Sequence, residues 1–265
     1  MSTQNDTAKA FKALHKPGNP LILSNIWDAI TARTVAALPQ TQALATASYA
    51  IAAAAGIQDE ELTLETNLRA VSAIAKVANE FTLPLTVDFQ DGFGDQLAEG
   101  VREVIRLGAV GINLEDLDRN TNALFSVEEA QTRIRRVMEV AKEEDVPDFV
   151  VNARTDALFT PASSSTSGGS LEEAIARGKA YLAAGASNIF IWGGPSRKGW
   201  GRDDVETATK ALGGRLNVLL VMMQPGGLSV NDLSDIGVSR ISIGPQLMFK
   251  VVSVLSDEAG AVLQR

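Results

Sequence analysis

Short apolar and β-branched runs alternate with amphipathic stretches along the whole chain, a pattern typical of strands and helices around a parallel sheet. The alternation predicts eight strands: Leu21–Ser24, Ala43–Ser48, Leu85–Phe89, Gly111–Asp116, Phe149–Asp156, Asn188–Trp192, Leu216–Met222 and Arg240–Gly244. Helices are predicted after them, at 27–38, 64–79, 96–107, 126–144, 170–184, 203–212, 229–236 and 245–255. Two of these helices begin with a Ser-x-x-Glu capping pattern, Ser126 to Glu129 and Ser170 to Glu173.

Eight such units without a break in composition predict one (β/α)₈ barrel that spans residues 1–265 as a single domain. An open, doubly wound sheet is the alternative, but no GxGxxG motif follows the first strand. The serine-rich segment Pro161–Ser170 follows the fifth strand, so we place it on the carboxyl-terminal face of the barrel. It is either an ordinary surface loop or part of a lid over an active site.

The composition excludes several classes of function. The chain has no cysteine, which rules out disulfides and thiolate chemistry, and its single histidine argues against a Ser-His-Asp triad or a His-ligated zinc site. A net charge of −8 argues against nucleic-acid binding, which depends on Lys and Arg. No apolar run is long enough to span a membrane, and the amino terminus does not resemble a signal peptide, so we expect a cytoplasmic protein.

Acidic side chains end two neighbouring predicted strands, Asp88 on the third and Glu115 on the fourth. Adjacent parallel strands lie about 5 Å apart, and two carboxylates that close repel each other unless a cation or a proton lies between them. Oxygen ligands without nearby His or Cys suit Mg²⁺ or Mn²⁺. The alternative is that these acids pair with arginines such as Arg154 and only stabilise the rim of the barrel.

Arg154 ends the fifth strand on the same rim, where its guanidinium could bind a substrate carboxylate or form a structural ion pair with Asp156 or Glu115. At the end of the second strand, the Ser48 side chain and the backbone amide of Tyr49 could donate hydrogen bonds to an enolate oxygen. Each of these residues alone is also consistent with ordinary packing.

At these positions the sequence resembles the isocitrate lyase / phosphoenolpyruvate mutase superfamily, over about Leu21 to Phe249. The resemblance is carried by the order and spacing of seven motifs: NIWDAITAR (25–33), ATASYAIAAAAGIQDEE (45–61), LPLTVDFQDGFGD (83–95), GAVGINLED (108–116), VVNARTDAL (150–158), MMQPGGLSV (222–230) and GVSRISIGPQL (237–247).

The resemblance implies a Mg²⁺ or Mn²⁺ site in which Asp88 binds the ion and nearby acids assist through water. It also implies a small carboxylic acid substrate and chemistry through an enolate-like form of pyruvate. Members commonly form homo-oligomers, so we expect a dimer or tetramer, with the carboxyl-terminal helix exchanged between subunits. The implied metal residues are Asp88, Asp59, Glu115 and Gln90. The implied catalytic residues are Arg154, Ser48, Glu115 and Asn122. The implied substrate-binding residues are Trp27, Ser48, Tyr49 and Arg154.

Three departures from the family pattern bear on the reaction. Gln90 stands where the family usually has an acid, which removes a negative charge, and Asp91 could compensate only if the strand has already turned. The chain lacks the lid cysteine that the isocitrate lyase branch uses as a general acid. The loop 118–124 keeps Asn122 but has Asn120 where mutases and phosphonopyruvate hydrolases carry a phosphoryl-binding lysine; Arg119 is next to it.

These observations favour a Mg²⁺-dependent lyase that cleaves or decarboxylates a carbon–carbon bond of a small 2-oxo or 2-hydroxy dicarboxylate. The first alternative is carbon–phosphorus chemistry on phosphonopyruvate or phosphoenolpyruvate, which the loss of the lysine at Asn120 disfavours. The second is a catalytically weak member that binds a metabolite or serves as a scaffold, suggested by Gln90.

Overall fold

A computed structural model describes residues 3–158, 169–193, 201–220 and 227–264. Most of the serine-rich segment, the predicted end of the seventh strand at Met222 and the first half of the 222–230 motif lie outside the described residues. No helix in the described ranges is both long and apolar enough to cross a membrane.

Nine parallel strands form one nearly closed barrel, in the order β1-β11-β10-β9-β8-β5-β4-β3-β2. The two ends of this order are consecutive in the chain, because β1 and β2 are separated only by Ser24. The barrel is thus confirmed, with a strand at each of the eight predicted places and β2 as an additional short strand. The strands, including a small antiparallel hairpin of β6 and β7, are β1 Leu21–Leu23, β2 Asn25–Ile26, β3 Leu44–Thr46, β4 Leu85–Asp88, β5 Gly111–Glu115, β6 Leu117–Asp118, β7 Ala123–Leu124, β8 Val150–Thr155, β9 Asn188–Ile191, β10 Leu216–Leu219 and β11 Arg240–Ser242.

Helices alternate with the barrel strands, and two helices are absent from the prediction: α1, which precedes the first strand, and α3, which follows β3. The last helix also continues well beyond residue 255. The Ser126 and Ser170 side chains accept the predicted capping bonds from the N–H groups of Glu129 and Glu173, each at 3.1 Å. The helices are α1 Gln4–Ala13, α2 Ala29–Ala36, α3 Ser48–Ala54, α4 Leu64–Glu80, α5 Leu97–Arg106, α6 Val127–Glu143, α7 Leu171–Ala184, α8 Arg202–Ala211, α9 Val230–Ile236 and α10 Gln246–Leu263.

Helix α1 packs against the amino-terminal end of β5. Its Phe11 is fully buried beside Gly111, the first residue of that strand. A Cβ atom at Gly111 would lie 3.1 Å from Phe11 Cε1 and 2.7 Å from the Val150 carbonyl oxygen, so only glycine fits. This end of the barrel is therefore filled by packing, and the polar strand ends described next lie at the opposite, carboxyl-terminal end.

Candidate active site

Asp88 is the last residue of β4, and its carboxylate is held by neighbours on both oxygens. Oδ2 accepts the Ser48 backbone N–H at 2.9 Å, and Oδ1 faces the Asn113 side-chain amide at 3.5 Å. The backbone is held as well, because its N–H donates to Thr46 Oγ1 at 2.8 Å and its carbonyl accepts from Asn67 at 3.2 Å. The position of Asp88 is thus set by residues of four other elements, α3, β5, β3 and α4.

Ser48 lies at a helix start and not at the predicted strand end. Strand β3 stops at Thr46, and Ser48 is the first residue of α3. The first-turn N–H groups of a helix have no partner within the helix, and the Ser48 N–H uses Asp88 as its acceptor. The next N–H, of Tyr49, has no hydrogen-bond partner among the described residues. The predicted role of the Tyr49 amide as a donor to substrate is therefore compatible with the structure.

The Gln90 side chain reaches Asp59. Its Nε2 donates to Asp59 Oδ1 at 2.9 Å and to the Asp59 carbonyl oxygen at 3.0 Å, and the Arg119 guanidinium donates to that same carbonyl. Burial raises the pKa of Asp59, and the negative charge of Asp88 raises it further. Gln90 Oε1 is buried and has no hydrogen-bond partner among the described residues. Asp59, Asp88 and Gln90 therefore belong to one site.

Arg154 binds Glu115 and Asp156 at the same time. Its Nη1 donates to Glu115 Oε1 at 2.7 Å, while Nε and Nη2 donate to the two Asp156 oxygens at 2.7 and 2.9 Å. The guanidinium stacks 4.3 Å from the centre of the Trp192 ring. Both structural ion pairs considered from the sequence are thus present. Two of the five guanidinium N–H groups have no partner among the described residues and can still bind a carboxylate.

Burial raises the pKa of Glu115 to about 8. Arg154 opposes this rise, and the negative charges of Asp156, Asp88 and Asp59 add to it. The pKa of Arg154 moves upward despite its burial, because Asp156 and Glu115 stabilise its charge. Acids on separate strands and loops therefore lie close enough to influence one another's ionisation.

The predicted lateral pairing of Asp88 with Glu115 is wrong in register. Asp88 on β4 lies beside Asn113, and the Glu115 backbone N–H donates to the Gln90 carbonyl oxygen at 2.8 Å, beyond the end of β4. Glu115 therefore lies two residues beyond Asn113, the residue beside Asp88, and on the same face of β5.

Two other acids near the strand ends have structural roles. Asp116 is buried outside the site, where its Oδ2 accepts from the Tyr181 hydroxyl at 2.6 Å and from Thr155 Oγ1 at 2.7 Å. Asp91 accepts the Phe93 N–H at 2.9 Å and stabilises the turn after β4. It does not supply the acid that Gln90 replaces.

Trp27 and Asn122 are not brought into contact with these carboxylates. Trp27 is partly buried and packs against apolar residues that include Ala47 and Met248. Asn122 is exposed, adopts a left-handed conformation with φ of 54°, and donates its N–H to the Asp118 carbonyl at 2.8 Å. It shapes the β6–β7 hairpin into which the predicted 118–124 loop folds.

Asn67 is a site residue that sequence reasoning missed. It is fully buried and supports the Asp88 backbone from α4, although most other buried residues of that helix are apolar. A polar residue on the apolar face of a predicted helix was the available signal. Arg240, which donates to Asn113 Oδ1 at 3.0 Å, was also missed; it is buried, although a charged residue at the start of a strand is ordinarily expected at the surface.

Comparison with known proteins identifies the family. Residues 11–263 match the family described as phosphoenolpyruvate phosphomutase. The chain belongs to this family. It is therefore a member of the isocitrate lyase / phosphoenolpyruvate mutase superfamily, as its motifs indicated, and an enzyme of the lyase and mutase type.

Individual relatives agree with this membership. An uncharacterized protein of Mycobacterium tuberculosis is 28% identical over 236 residues, covering 89% of this chain and 81% of that protein. The 2-methylisocitrate lyase of Escherichia coli is 33% identical over 193 residues, but the match covers 69% of this chain and 60% of the lyase. A crystal structure from Burkholderia cenocepacia, provisionally assigned as a phosphonomutase, superposes with a TM-score of 0.85 at 33% identity over 98% of this chain and 99% of that one.

The residues at this site fit the divalent cation that the phosphoenolpyruvate phosphomutase family implies. Three carboxyl groups and the unpartnered Gln90 oxygen provide hard oxygen ligands, and no histidine lies among them. Within the described ranges, no three His, Cys, Asp or Glu side chains converge closely enough to coordinate one ion directly. Asp88, Asp59, Glu115 and Gln90 are therefore the residues that would hold the ion.

Proposed function

We propose that this protein is a Mg²⁺-dependent lyase that cleaves or decarboxylates a carbon–carbon bond of a small 2-oxo or 2-hydroxy dicarboxylate. The ion would be held by Asp88, with Asp59, Glu115 and Gln90 around it. Mg²⁺ or Mn²⁺ would supply Lewis acidity for the negative charge that develops on the 2-oxo oxygen as the bond breaks.

The position of Arg119 is the observation that favours carbon–carbon chemistry. Arg119 is the one cationic residue of the hairpin 117–124, and its guanidinium donates to the Asp59 carbonyl. The neighbouring Asn120 is neutral and exposed. A phosphonate dianion needs positive charge at this place, whereas the loss of a carboxylate or a neutral fragment needs less.

The remaining side chains would bind and orient the substrate. The unused N–H groups of Arg154 suit a carboxylate, and the Tyr49 N–H suits the 2-oxo oxygen, where negative charge accumulates. The Ser48 hydroxyl would donate a second hydrogen bond to the same oxygen. The aromatic face of Trp192 keeps the guanidinium plane in place. We also propose that Trp27 binds the substrate and that Asn122 takes part in catalysis. Both roles would require the β6–β7 hairpin or the substrate to approach these residues.

A panel of substrates tests this proposal. The purified protein is incubated with 2-oxo and 2-hydroxy dicarboxylates and with phosphonopyruvate, with Mg²⁺ and with a chelator, and the 2-oxo acid products are quantified. We expect Mg²⁺-dependent turnover of at least one dicarboxylate, and its loss in Asp88→Asn. Asp95→Asn is the matched control, because Asp95 is an exposed acid on the same segment after β4. Faster turnover of phosphonopyruvate than of every dicarboxylate would contradict the proposal.

Carbon–phosphorus chemistry is the second candidate, and the similarity to the Burkholderia cenocepacia structure supports it. A catalytically weak, metabolite-binding or scaffold role is the third, and the neutral Gln90 supports it. Metal binding without turnover of any compound in the panel would favour this last role. The cytoplasmic location stays a prediction.

We also propose that the protein is a homo-oligomer in which α10 packs against, or is exchanged with, a second copy. Only Met248 of this 18-residue helix is buried in the single chain. Large apolar side chains along the helix are exposed, and such a surface is typical of a protein–protein contact. The exposed residues are Phe249, Val251, Val252, Val254, Leu255, Val262 and Leu263.

A further inference from the structure

A row of hydrogen-bonded asparagines crosses the interior of the barrel and ends at Asp88. Asn188 Nδ2 donates to Asn152 Oδ1 at 3.2 Å, and Asn152 Nδ2 donates to Asn113 Oδ1 at 2.9 Å. Asn113 Nδ2 in turn faces Asp88 Oδ1 at 3.5 Å. At the far end, Ser239 Oγ donates to Asn188 Oδ1 at 2.8 Å. We call Asn188, Asn152 and Asn113 the asparagine ladder.

The strand register brings the ladder together. Asp88 lies beside Asn113, Asn113 beside Asn152, and Asn152 beside Asn188, on β4, β5, β8 and β9. Residues in register on parallel strands point to the same face, here the barrel interior. Asn152 and Asn188 are fully buried and Asn113 is 7% exposed, so the amides have little access to water and depend on one another.

Arg240 fixes the orientation of the Asn113 side-chain amide and so the direction of the hydrogen bonds along the ladder. Its Nη2 donates to Asn113 Oδ1 at 3.0 Å, the same atom that accepts from Asn152. A guanidinium has donors only, so the Asn113 oxygen must face Arg240 and its NH₂ group must face Asp88. Arg240 is 1% exposed, and within the described ranges it has no salt bridge. A buried cation without an ion pair is costly to the fold, which suggests a role other than stability.

We propose that the asparagine ladder and Arg240 are positioning residues that hold the Asp88 carboxylate ready for a divalent cation; this inference rests on the metal site of the proposed function. Every donor in the row points toward Asp88, so each amide presents the positive end of its dipole to the carboxylate, and aligned hydrogen bonds strengthen one another. Asn113 holds Oδ1 and the Ser48 N–H holds Oδ2. Each oxygen keeps lone pairs for the ion, in an orientation fixed before the ion arrives.

Asn217 provides a matched control for a purely structural role. It is a fully buried asparagine of the same barrel, on β10, and its Nδ2 donates to Ser242 Oγ at 3.1 Å. Neither residue of this pair bonds to the ladder. Replacing Asn217 by leucine removes a buried amide of the same size, without interrupting the row that ends at Asp88.

The test compares Asn152→Leu and Asn188→Leu with Asn217→Leu. Mn²⁺ affinity is measured by titration calorimetry, and stability by thermal unfolding without metal. We expect all three variants to lose stability, but only the two ladder variants to lose Mn²⁺ affinity, by about tenfold for Asn152→Leu. Combining the two ladder changes should add little further loss of affinity, because both interrupt the same row. Asn188→Ser, a smaller change, serves if a leucine variant does not fold, and the same direction is expected.

The outcomes separate this inference from the proposal on which it rests. A wild-type protein that binds neither Mn²⁺ nor Mg²⁺ would overturn the proposed metal site and the inference with it. Wild-type binding together with equal affinities in the ladder variants and in Asn217→Leu would overturn the inference alone. Additive losses in the double variant would show that the two asparagines act independently and would also contradict it.

Discussion

Arg154 Nη1 donates to Glu115 Oε1 at 2.7 Å, across neighbouring strands β8 and β5. The guanidinium expected to bind substrate is therefore already bound to a carboxyl group expected to bind the metal. Asp156 holds the same guanidinium from the other side. Arg154 thus divides its positive charge between Glu115 and Asp156, so the ionised form of Glu115 is only partly compensated. The ionisation of Glu115 is therefore sensitive to a metal ion nearby.

We expect metal binding to release a proton from Glu115. A carboxyl group must be ionised to assist a cation, and burial raises the pKa of Glu115 to about 8. Mn²⁺ affinity should therefore rise as the pH approaches 8 and level off above it. Calorimetry in buffers of different ionisation enthalpy measures the released proton. Glu115→Gln should abolish both the proton release and the pH dependence; an unchanged pH profile would assign them to another group.

Glu115 should also make the metal-free protein less stable at high pH. Its pKa is raised above the unfolded value of 4.5, so the folded state favours the protonated form. The stability from this preference is fully present below about pH 4.5 and is lost as the pH rises through about 8. Chemical unfolding across this range should give a decreasing free energy of unfolding in the wild type, and a flatter profile in Glu115→Gln.

Asp88→Asn should abolish Mg²⁺ and Mn²⁺ binding while the fold is retained. Asparagine preserves the size and shape of the side chain, but it replaces the negative charge by a dipole, and hard cations depend on that charge. Calorimetry measures the binding, and a thermal melt without metal verifies the fold. The exposed Asp95→Asn should bind as the wild type does. Undiminished binding in Asp88→Asn would show that the ion lies elsewhere.

Gln90→Glu should tighten metal binding and destabilise the metal-free protein. The substitution puts a carboxylate where Gln90 Nε2 now donates to Asp59 Oδ1 at 2.9 Å. Without metal the two negative charges repel, and a bond to a charged group is lost, which costs about 1.5–3 kcal/mol. A dication between them reverses the effect. Melting curves with and without Mn²⁺ should show a larger metal-induced shift than in the wild type. Unchanged or weaker affinity would place Gln90 away from the ion.

Asn120→Lys should raise any activity on phosphonopyruvate and leave carbon–carbon cleavage unchanged or lower. Asn120 is exposed on the β6–β7 hairpin, so a lysine there can be accommodated without loss of packing. Its ammonium would supply the charge that a phosphonate dianion needs. Steady-state rates on both substrate classes measure the change, with Thr121→Lys, on the same exposed turn, as the matched control. A fall in phosphonopyruvate turnover would contradict the assignment of this position.

Charged residues on α10 should dissociate the proposed oligomer. Val252 is 57% exposed and Leu255 is 65% exposed in the single chain. Val252→Asp together with Leu255→Asp would put two charges into the proposed contact, where burial of an unpaired charge is costly. Light scattering coupled to size exclusion should then give the mass of one chain. Lys250→Glu is the matched control, because it changes the charge of an exposed position on the same helix that already carries a charge, and it should leave the mass unchanged. A monomeric wild type would contradict the proposal.

The sequence by itself determined the barrel and the positions of its polar strand ends. Strand β4 was predicted to within one residue, with Asp88 at its carboxyl-terminal end, because β-branched runs and their alternation with helices are local signals. Membership of the family also followed from the sequence, because the motifs and their order are read directly from the residues and do not depend on how the chain packs. The predicted end of the last helix at residue 255 was too early, since nothing in the tertiary structure interrupts α10 before Leu263.

Only the tertiary structure decided which of these polar groups meet. Ser48 begins helix α3 and donates its backbone N–H to Asp88, and Gln90 donates to Asp59, which lies 31 positions away in the chain. The sharing of Arg154 by Glu115 and Asp156, and the row of asparagines that ends at Asp88, depend on the register between strands. Register is set by how all strands of a barrel stagger together and by long-range packing, so no local pattern of residues contains it.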